Sequence, residues 1–213
     1  MKAKIIIFNL IFCLFITSCK EPIVSFEVPQ PENVKEQKAF PNKLIGTYYN
    51  SENDTELIIR EYLIFKRVLT KDTLKISELS TNEIIKNDTL YKIDSDEKYK
   101  VVTINDSLFS NYVLFDTVFN LKKTDVLKKF KGYYFLNKTI KKTGFWQVQK
   151  LNLTKGVLCI NRIETENDIR LLENSTNSKK DTIKPFIVKP TKKQFKEFIK
   201  KNGFSTGEIY IKQ

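Results

Sequence analysis

Leu44-Ile45-Gly46-Thr47-Tyr48-Tyr49 is the stretch from which the fold can be read, because it returns 86 positions later as Phe130-Lys131-Gly132-Tyr133-Tyr134-Phe135. Each copy sets a glycine before paired aromatic or β-branched residues, the composition of a strand that begins at a turn. The correspondence continues, with Lys43 to Ile76 paralleling Lys129 to Ile160, each giving Gly-aromatic, a polar turn and then two apolar strands. An internal duplication leaves such an offset, and so does chance reuse of one strand start in a β-rich chain. The expectation is a mainly β protein with a minor α component. Its antiparallel strands form either two duplicated β-rich halves, residues 44–123 and 124–213, or one barrel-like meander.

Short aromatic or β-branched runs separated by turn residues fill the rest: Leu57–Ile59, Tyr62–Phe65, Leu74–Ile76, Leu90–Ile93, Tyr99–Ile104, Tyr112–Phe115, Phe145–Val148, Lys150–Leu153, Val157–Ile160 and Phe186–Val188. Leu153-Thr154-Lys155-Gly156 reads as a hairpin in which Gly156 takes a positive φ. A helix is expected after Pro190, with Thr191 and Gln194 as a capping box and Phe195, Phe198 and Ile199 on one face. Asn202-Gly203 is expected to stop it, with the glycine left-handed. Ile209–Ile211 closes the fold as a strand in this reading, and a shorter linking helix, capped by Thr124 or Asp125 and carrying Val126, Leu127 and Phe130, joins the halves.

Ahead of the β-rich region lies a leader. Lys2 and Lys4 form a cationic start, Ile5 to Ile16 is an apolar run broken only at Asn9, and Thr17-Ser18-Cys19 follow. A helix of about 12 residues rises only about 18 Å, too short to span a bilayer of roughly 20 residues, so the form is that of a secretory signal. Ile16-Thr17-Ser18-Cys19 resembles the lipobox of bacterial, Bacteroidota-like lipoproteins. That resemblance implies removal of residues 1–18 by cleavage between Ser18 and Cys19, and acylation of Cys19 with palmitate-type chains. Several chains anchor firmly where one does so marginally. Residues 19–43, with Pro22, Pro29, Pro31 and Pro41, read as the lipidated cysteine followed by a flexible tether. Lys20-Glu21 partly resembles the surface-export signal of such lipoproteins, with Pro22 where a second acid is usual. The expected location is the cell envelope, lipid-anchored in the outer membrane, with its periplasmic or surface face left open.

Composition narrows the chemistry. The chain has a net charge of +12, and the leader holds two lysines and no acid, leaving +10 after cleavage. In an exported protein this argues against nucleic acid as a partner. It fits either a soluble lysine-rich domain or attraction to anionic lipid or glycan. With Cys19 acylated and Cys13 in the leader, Cys159 is the one remaining thiol. The chain has no histidine to serve it as a base, so no disulfide and no thiol catalysis is expected. Six glycines supply no phosphate loop, and no metal or cofactor signature stands out.

One triplet recurs: Asp72-Thr73-Leu74, Asp88-Thr89-Leu90, Asp106-Ser107-Leu108, Asp116-Thr117-Val118 and Asp181-Thr182-Ile183. Its structural reading is an Asp-capped turn opening a strand. It also resembles the Asp-Thr/Ser-aliphatic O-glycosylation motif of Bacteroidota exported proteins, which makes Thr73, Thr89, Ser107, Thr117 and Thr182 candidate acceptors. Asp94, Asp96 and Glu97 lack the glycine and the further oxygen ligands of a calcium loop and read as a polar hairpin tip. Glu164, Glu166, Asp168 and Glu173 are the acids a carboxylate-dependent hydrolase would draw on. Trp146 and the tyrosine pairs at 48–49 and 133–134 read as core before they read as a ligand groove. The Gly-x-Tyr starts resemble the Gly-x-Trp start of lipocalin-like barrels.

The reading is therefore a non-enzymatic envelope lipoprotein that binds or scaffolds, held by its lipid and meeting a protein, glycan or small apolar ligand. The alternatives are a lipocalin-like carrier with an apolar internal cavity and, behind it, the hydrolase.

Overall fold

The computed structural model describes residues 23–141, 143–176 and 186–213. Ser18, Cys19 and Thr182 lie outside the described residues. The strands up to Asn120 are β1 (Val24–Phe26), β2 (Glu36–Gln37), β3 (Gly46–Asn50), β4 (Thr55–Ile59), β5 (Leu63–Lys75), β6 (Glu83–Ile85), β7 (Thr89–Lys92), β8 (Lys98–Ile104) and β9 (Ser107–Asn120). There follow β10 (Val126–Phe130), β11 (Tyr133–Thr139), β12 (Trp146–Thr154), β13 (Val157–Arg162), helix α1 (Glu166–Thr176), β14 (Phe186–Val188), helix α2 (Lys192–Lys200) and β15 (Thr206–Lys212). The fold is mainly β, as expected, with antiparallel neighbours in the order β2-β10-β11-β12-β13-β15-β3-β4-β5-β9-β8-β7-β6. A parallel pair, β1 with β14, lies beside β12.

The sheet is curled. Leu127, Tyr134, Leu136, Leu151, Leu158, Ile160, Tyr210, Tyr48, Leu57, Ile59, Ile64 and Phe119 come from β10 round to β9, and all fall in one buried cluster. Side chains from so many successive strands meet only if the sheet wraps round them. Both halves of the sequence contribute to this one interior. Tyr48 and Tyr134, the corresponding members of the two echoed stretches, are buried within it, while Tyr49 and Tyr133 alternate outward. The Tyr48 hydroxyl donates to the Leu44 carbonyl at 2.8 Å, which satisfies its one polar atom.

The segment read as a flexible tether is, from residue 23 on, part of the fold. β2 pairs with β10, the Phe40 amide donates to the Glu61 carbonyl at 2.8 Å, and Phe40 stacks edge-on against Phe119. This stretch therefore bridges β10 and the β4–β5 turn, where β9 and β10 are not paired with each other. Upstream, the Gln30 amide donates to Asn137 Oδ1 and the Asn137 amide returns to the Gln30 carbonyl at 2.9 Å, while Lys128 Nζ donates to the carbonyls of Pro29 and Pro31. Prolines made the segment read as loose. They also keep it extended, and extended chain with Val24, Phe26 and Phe40 to bury can serve as a strap.

A second cluster covers the outer face of β11 and β12. Phe135 and Val148 meet Phe26, Val188, Ile169, Leu172, Phe195, Phe198 and Phe204 from β1, β14, the helices and the segment after α2. Helix α2 has the expected capping box, and its apolar face is buried as read from its spacing. Its stop differs: Asn202 is the left-handed residue (φ 61°), whereas Gly203 is needed for room, since a Cβ there would lie 2.3 Å from the Phe198 ring. The hairpin at Lys155-Gly156 has positive φ at both residues, as its sequence required.

The linking helix expected at Thr124 to Phe130 does not form: residues 126–130 are β10, held between β11 and β2. The other helix is α1, of 11 residues against the 9 of α2, where Thr165 and Asp168 cap reciprocally. Among the described residues no helix is long and apolar enough to cross a membrane.

Candidate functional site: a projecting arm

β5 and β9 are the longest strands, and they outrun the curled sheet. β5 leaves its neighbour β4 after Val68 but stays paired with β9 as far as Lys75–Ser107. β8, β7 and β6 extend this projection sideways, so residues 63–120 form an arm of five strands. The sequence divides β5 into two short strands around Thr70-Lys71-Asp72, a polar run that reads as a turn; in the structure it is continuous strand, with Lys71 and Asp72 exposed to water.

Register assigns every side chain of the arm to one of two faces. The first continues the inner face of the curl. Its floor is Leu74, Leu90, Val101 and Leu108, with Leu79 packed against them. A groove of about 470 Å³ opens over this floor, edged by Asp72, Glu83, Lys92, Tyr99, Ser110 and Leu114. Lys92 pairs with Glu97 at 2.8 Å, and the Tyr99 hydroxyl donates to Glu97 at 3.1 Å. The Glu97 hydrogen bond raises the Lys92 pKa, the hydrogen bond from Lys92 lowers that of Glu97, and the Ser80 amide lowers that of Glu83. All three stay charged at neutral pH, so the groove has an apolar floor and an ionic rim.

The second face is the reverse of the first. Leu69, Val102, Ile104, Phe109, Val113 and Phe115 all point this way and are exposed, Phe115 to 66% and Val102 to 61%. Among the described residues, every exposed large hydrophobic except Ile187, Ile209 and Ile211 falls between Leu69 and Phe115. Single exposed apolar residues need no explanation; a contiguous set on one face does.

The other sequence candidates are dispersed. Thr73, Thr89, Ser107 and Thr117 all sit in the arm and, by register, on its second face. Asp72 accepts the Thr73 amide at 2.9 Å, as the turn-cap reading supposes, but within a strand. Asp94 accepts from Asn82 at 2.9 Å in a turn at the arm's edge, and among the described residues no group of acids, Cys or His could hold a metal ion.

The acids of the hydrolase reading are split. Asp168 is fully buried and accepts from the Thr165 amide and from the Ser205 amide and hydroxyl, fixing the start of α1. Glu164 pairs with Arg162 at 2.8 Å, and Glu166 and Glu173 border a shallow depression along α1. Cys159 is half-buried on β13. Trp146 packs against the helix-covered cluster, and Tyr48 and Tyr134 fill the curl's interior.

Sequence reasoning missed a polar cluster at the inner face's mouth. Lys66 and Arg162 lie 2.8 and 3.8 Å from Glu208, which also accepts from the Tyr210 hydroxyl. Burial pushes the Glu208 pKa up, but the hydrogen bonds from Lys66 and Tyr210 outweigh it and the carboxyl sits below its ordinary range. Burial and the same carboxylate push the Tyr210 phenol well up. Lys66, Arg162 and the Glu208–Tyr210 pair are far apart in sequence, and no local pattern joins them.

Charge follows the same division. Residues 121–213 hold 22 Lys and Arg against 8 acids, whereas residues 63–120 hold 8 against 9. Compared with known protein families, with curated proteins and with solved structures, the chain matches none.

Proposed function

We propose that this chain is a lipid-anchored envelope protein that works by binding, with the arm as its contact element and the groove on the arm's inner face as the binding site. The observation that carries this reading is the open groove on the arm, floored by Leu74, Leu90, Val101 and Leu108. The curl beside it offers no such space, being filled by Tyr48, Phe119, Tyr134 and Tyr210. The groove suits a ligand or partner segment with an apolar group for Leu74, Leu90 and Leu108 and a polar group for Glu83 and Lys92. A carrier of apolar cargo would use this groove, because the curl interior is occupied by side chains. The anchor rests on Ile16-Thr17-Ser18-Cys19.

Two measurements test the reading. The intact mass of protein extracted from membranes should equal residues 19–213 plus a diacylglyceryl group and an acyl chain. Cys19→Ala should abolish the lipid mass; if lipid remains on that variant, the anchor reading fails. Additional hexose mass would show glycosylation, and its loss on substitution of Thr73, Thr89, Ser107, Thr117 or Thr182 would locate the acceptor. A photo-crosslinking residue placed at Leu114, on the groove's edge, should yield adducts in whole cells that the same residue at Ile209, on the curl, does not. Equal labelling at both positions would remove the arm from the binding role.

A further inference from the structure

The second face of the arm is unusual in charge as well as in apolarity. Arg67, Lys71, Lys75, Lys98 and Lys100 share it by register, and no acid on the arm's strands does. The strand acids Asp72, Glu83 and Asp116 all point to the groove side. Asp88, in the β6–β7 turn, borders the face beside Lys100. Arg67 is paired with Glu56 at 2.6 Å, which leaves four lysines without an ion pair among the described residues. The arm is thus close to neutral overall but divided, with cations and exposed apolar side chains together on one side.

The position of the N-terminus adds a direction. A single row of paired residues crosses the sheet through Thr154, Val157, Ile211, Tyr49, Glu56 and Arg67. From that row the arm extends through Val68 to Lys75. β12 extends the same way from Thr154 back to Trp146, where Phe26 pairs. Phe26, the last residue of β1, therefore lies at the end of the sheet from which the arm projects. Since β1 is antiparallel to β12, the chain upstream of Phe26 runs back along β12 to Ile23. Cys19 precedes Ile23 by four residues, a span of at most about 14 Å for extended chain.

We infer that this cationic, apolar face of the arm docks on an anionic lipid bilayer, the one that holds the acyl chains of Cys19; the inference rests on the anchor reading. The lysines meet headgroup charge, as juxtamembrane basic clusters do. Phe115, Phe109, Val102 and Ile104 enter the headgroup–acyl boundary, the depth at which amphipathic surfaces lodge. A symmetric pairing of two such faces would set lysine against lysine, which disfavours a second copy as the occupant. Docking leaves the groove on the opposite side open to the aqueous phase.

The test uses the full chain, processed in a lipoprotein-modifying host, extracted in detergent and reconstituted in vesicles of phosphatidylcholine, with or without phosphatidylglycerol. Trp146 is the only tryptophan, so Trp146→Phe with Phe115→Trp places a single reporter on the face. Its emission should shift to the blue and be quenched by brominated lipid only when phosphatidylglycerol is present. Both effects should weaken at about 1 M salt, where screening is effective within about 3 Å. Lys98→Glu with Lys100→Glu should reduce the docked fraction about 25-fold, at roughly five-fold per lysine near an anionic surface. Amide exchange across residues 98–115 of the unaltered chain gives a second readout, slower on the anionic vesicles. Flotation of the chain on phosphatidylcholine alone reports the anchor separately. A chain that floats but shows no lipid-dependent change at residue 115 or in exchange overturns the inference. Protection by a soluble polyanion such as heparin without any lipid effect overturns it too. A chain that fails to float refutes the anchor, and anionic vesicles added to it still decide the arm by the same two readouts.

Discussion

The curl and the arm are built from the same strands, and the difference between them is coverage. β5 begins in the curl, where Ile64 is fully buried, and ends in the arm, where Leu69 is half exposed. In the curl each inward residue meets others from across the enclosed interior. Beyond Val68 and Leu114, where the arm leaves the curl, only Leu90, Val101 and Leu108 are buried among the described residues, by one another and by two partly buried leucines. Strand propensity is thus satisfied in both regions, but enclosure belongs to one. Apolar residues that fold the curl become, in the arm, a surface. Hydrophobic stabilisation scales with area removed from water, so the curl holds the stability of the protein and the arm is the part free to meet something else.

The sharpest way to break this comparison is to cut into the helix-covered core. Phe195 is fully buried against Phe26, Phe135, Phe198 and Phe204. Phe195→Ala should cost about 3–5 kcal/mol in urea denaturation. Next comes the strap: Asn137→Ala removes the partners of both the Gln30 amide and its carbonyl. It should cost about 2–3 kcal/mol and open residues 23–35 to limited proteolysis. Unchanged protease resistance would show that Lys128 and β2 hold the strap unaided. In the arm, Leu108→Ala should cost only about 2 kcal/mol, the low end for a buried leucine, because its small cluster can close over the gap. A loss as large as that at Phe195 would mean that the arm shares the core's stability.

The smallest effect concerns pH at the mouth of the curl. The folded pKa of Glu208 lies below its ordinary value, so its contribution is present above the unfolded value of about 4.3 and is lost as pH falls through the folded one. Between about pH 5 and 3 the unaltered chain should lose about 1 kcal/mol more than Glu208→Gln. Equal slopes in denaturation measured across that range would remove Lys66 and Arg162 from the account.

Much of the curl was legible because its residues alternate against a single core. The capping box at Thr191, the hairpin at Gly156 and the buried Tyr48 and Tyr134 are local patterns with local causes. The arm was legible only in pieces. A strand exposed on both sides carries polar residues such as Thr70, Lys71 and Asp72 at consecutive positions, and that sequence is indistinguishable from a turn until a partner strand is seen beside it. Helix α1 has a signal of its own in the sequence: Thr165 and Asp168 are spaced as a cap, with Ile169 and Leu172 behind them on one face. The same acids also fit a hydrolase's carboxylates, and only the fold separates the two readings.

By itself the sequence determined the class of the fold, its antiparallel strands, the C-terminal helix, and the expectation of a lipid at Cys19. These depend on neighbours within a few positions, where periodicity, caps and turn residues act. Only the tertiary structure decided that the proline-rich segment straps the sheet, that two halves share one interior, and that five cations and a row of exposed hydrophobics fall on the same face. Each of those joins residues tens of positions apart through strand register, and register is fixed by which side chains a curled sheet can enclose.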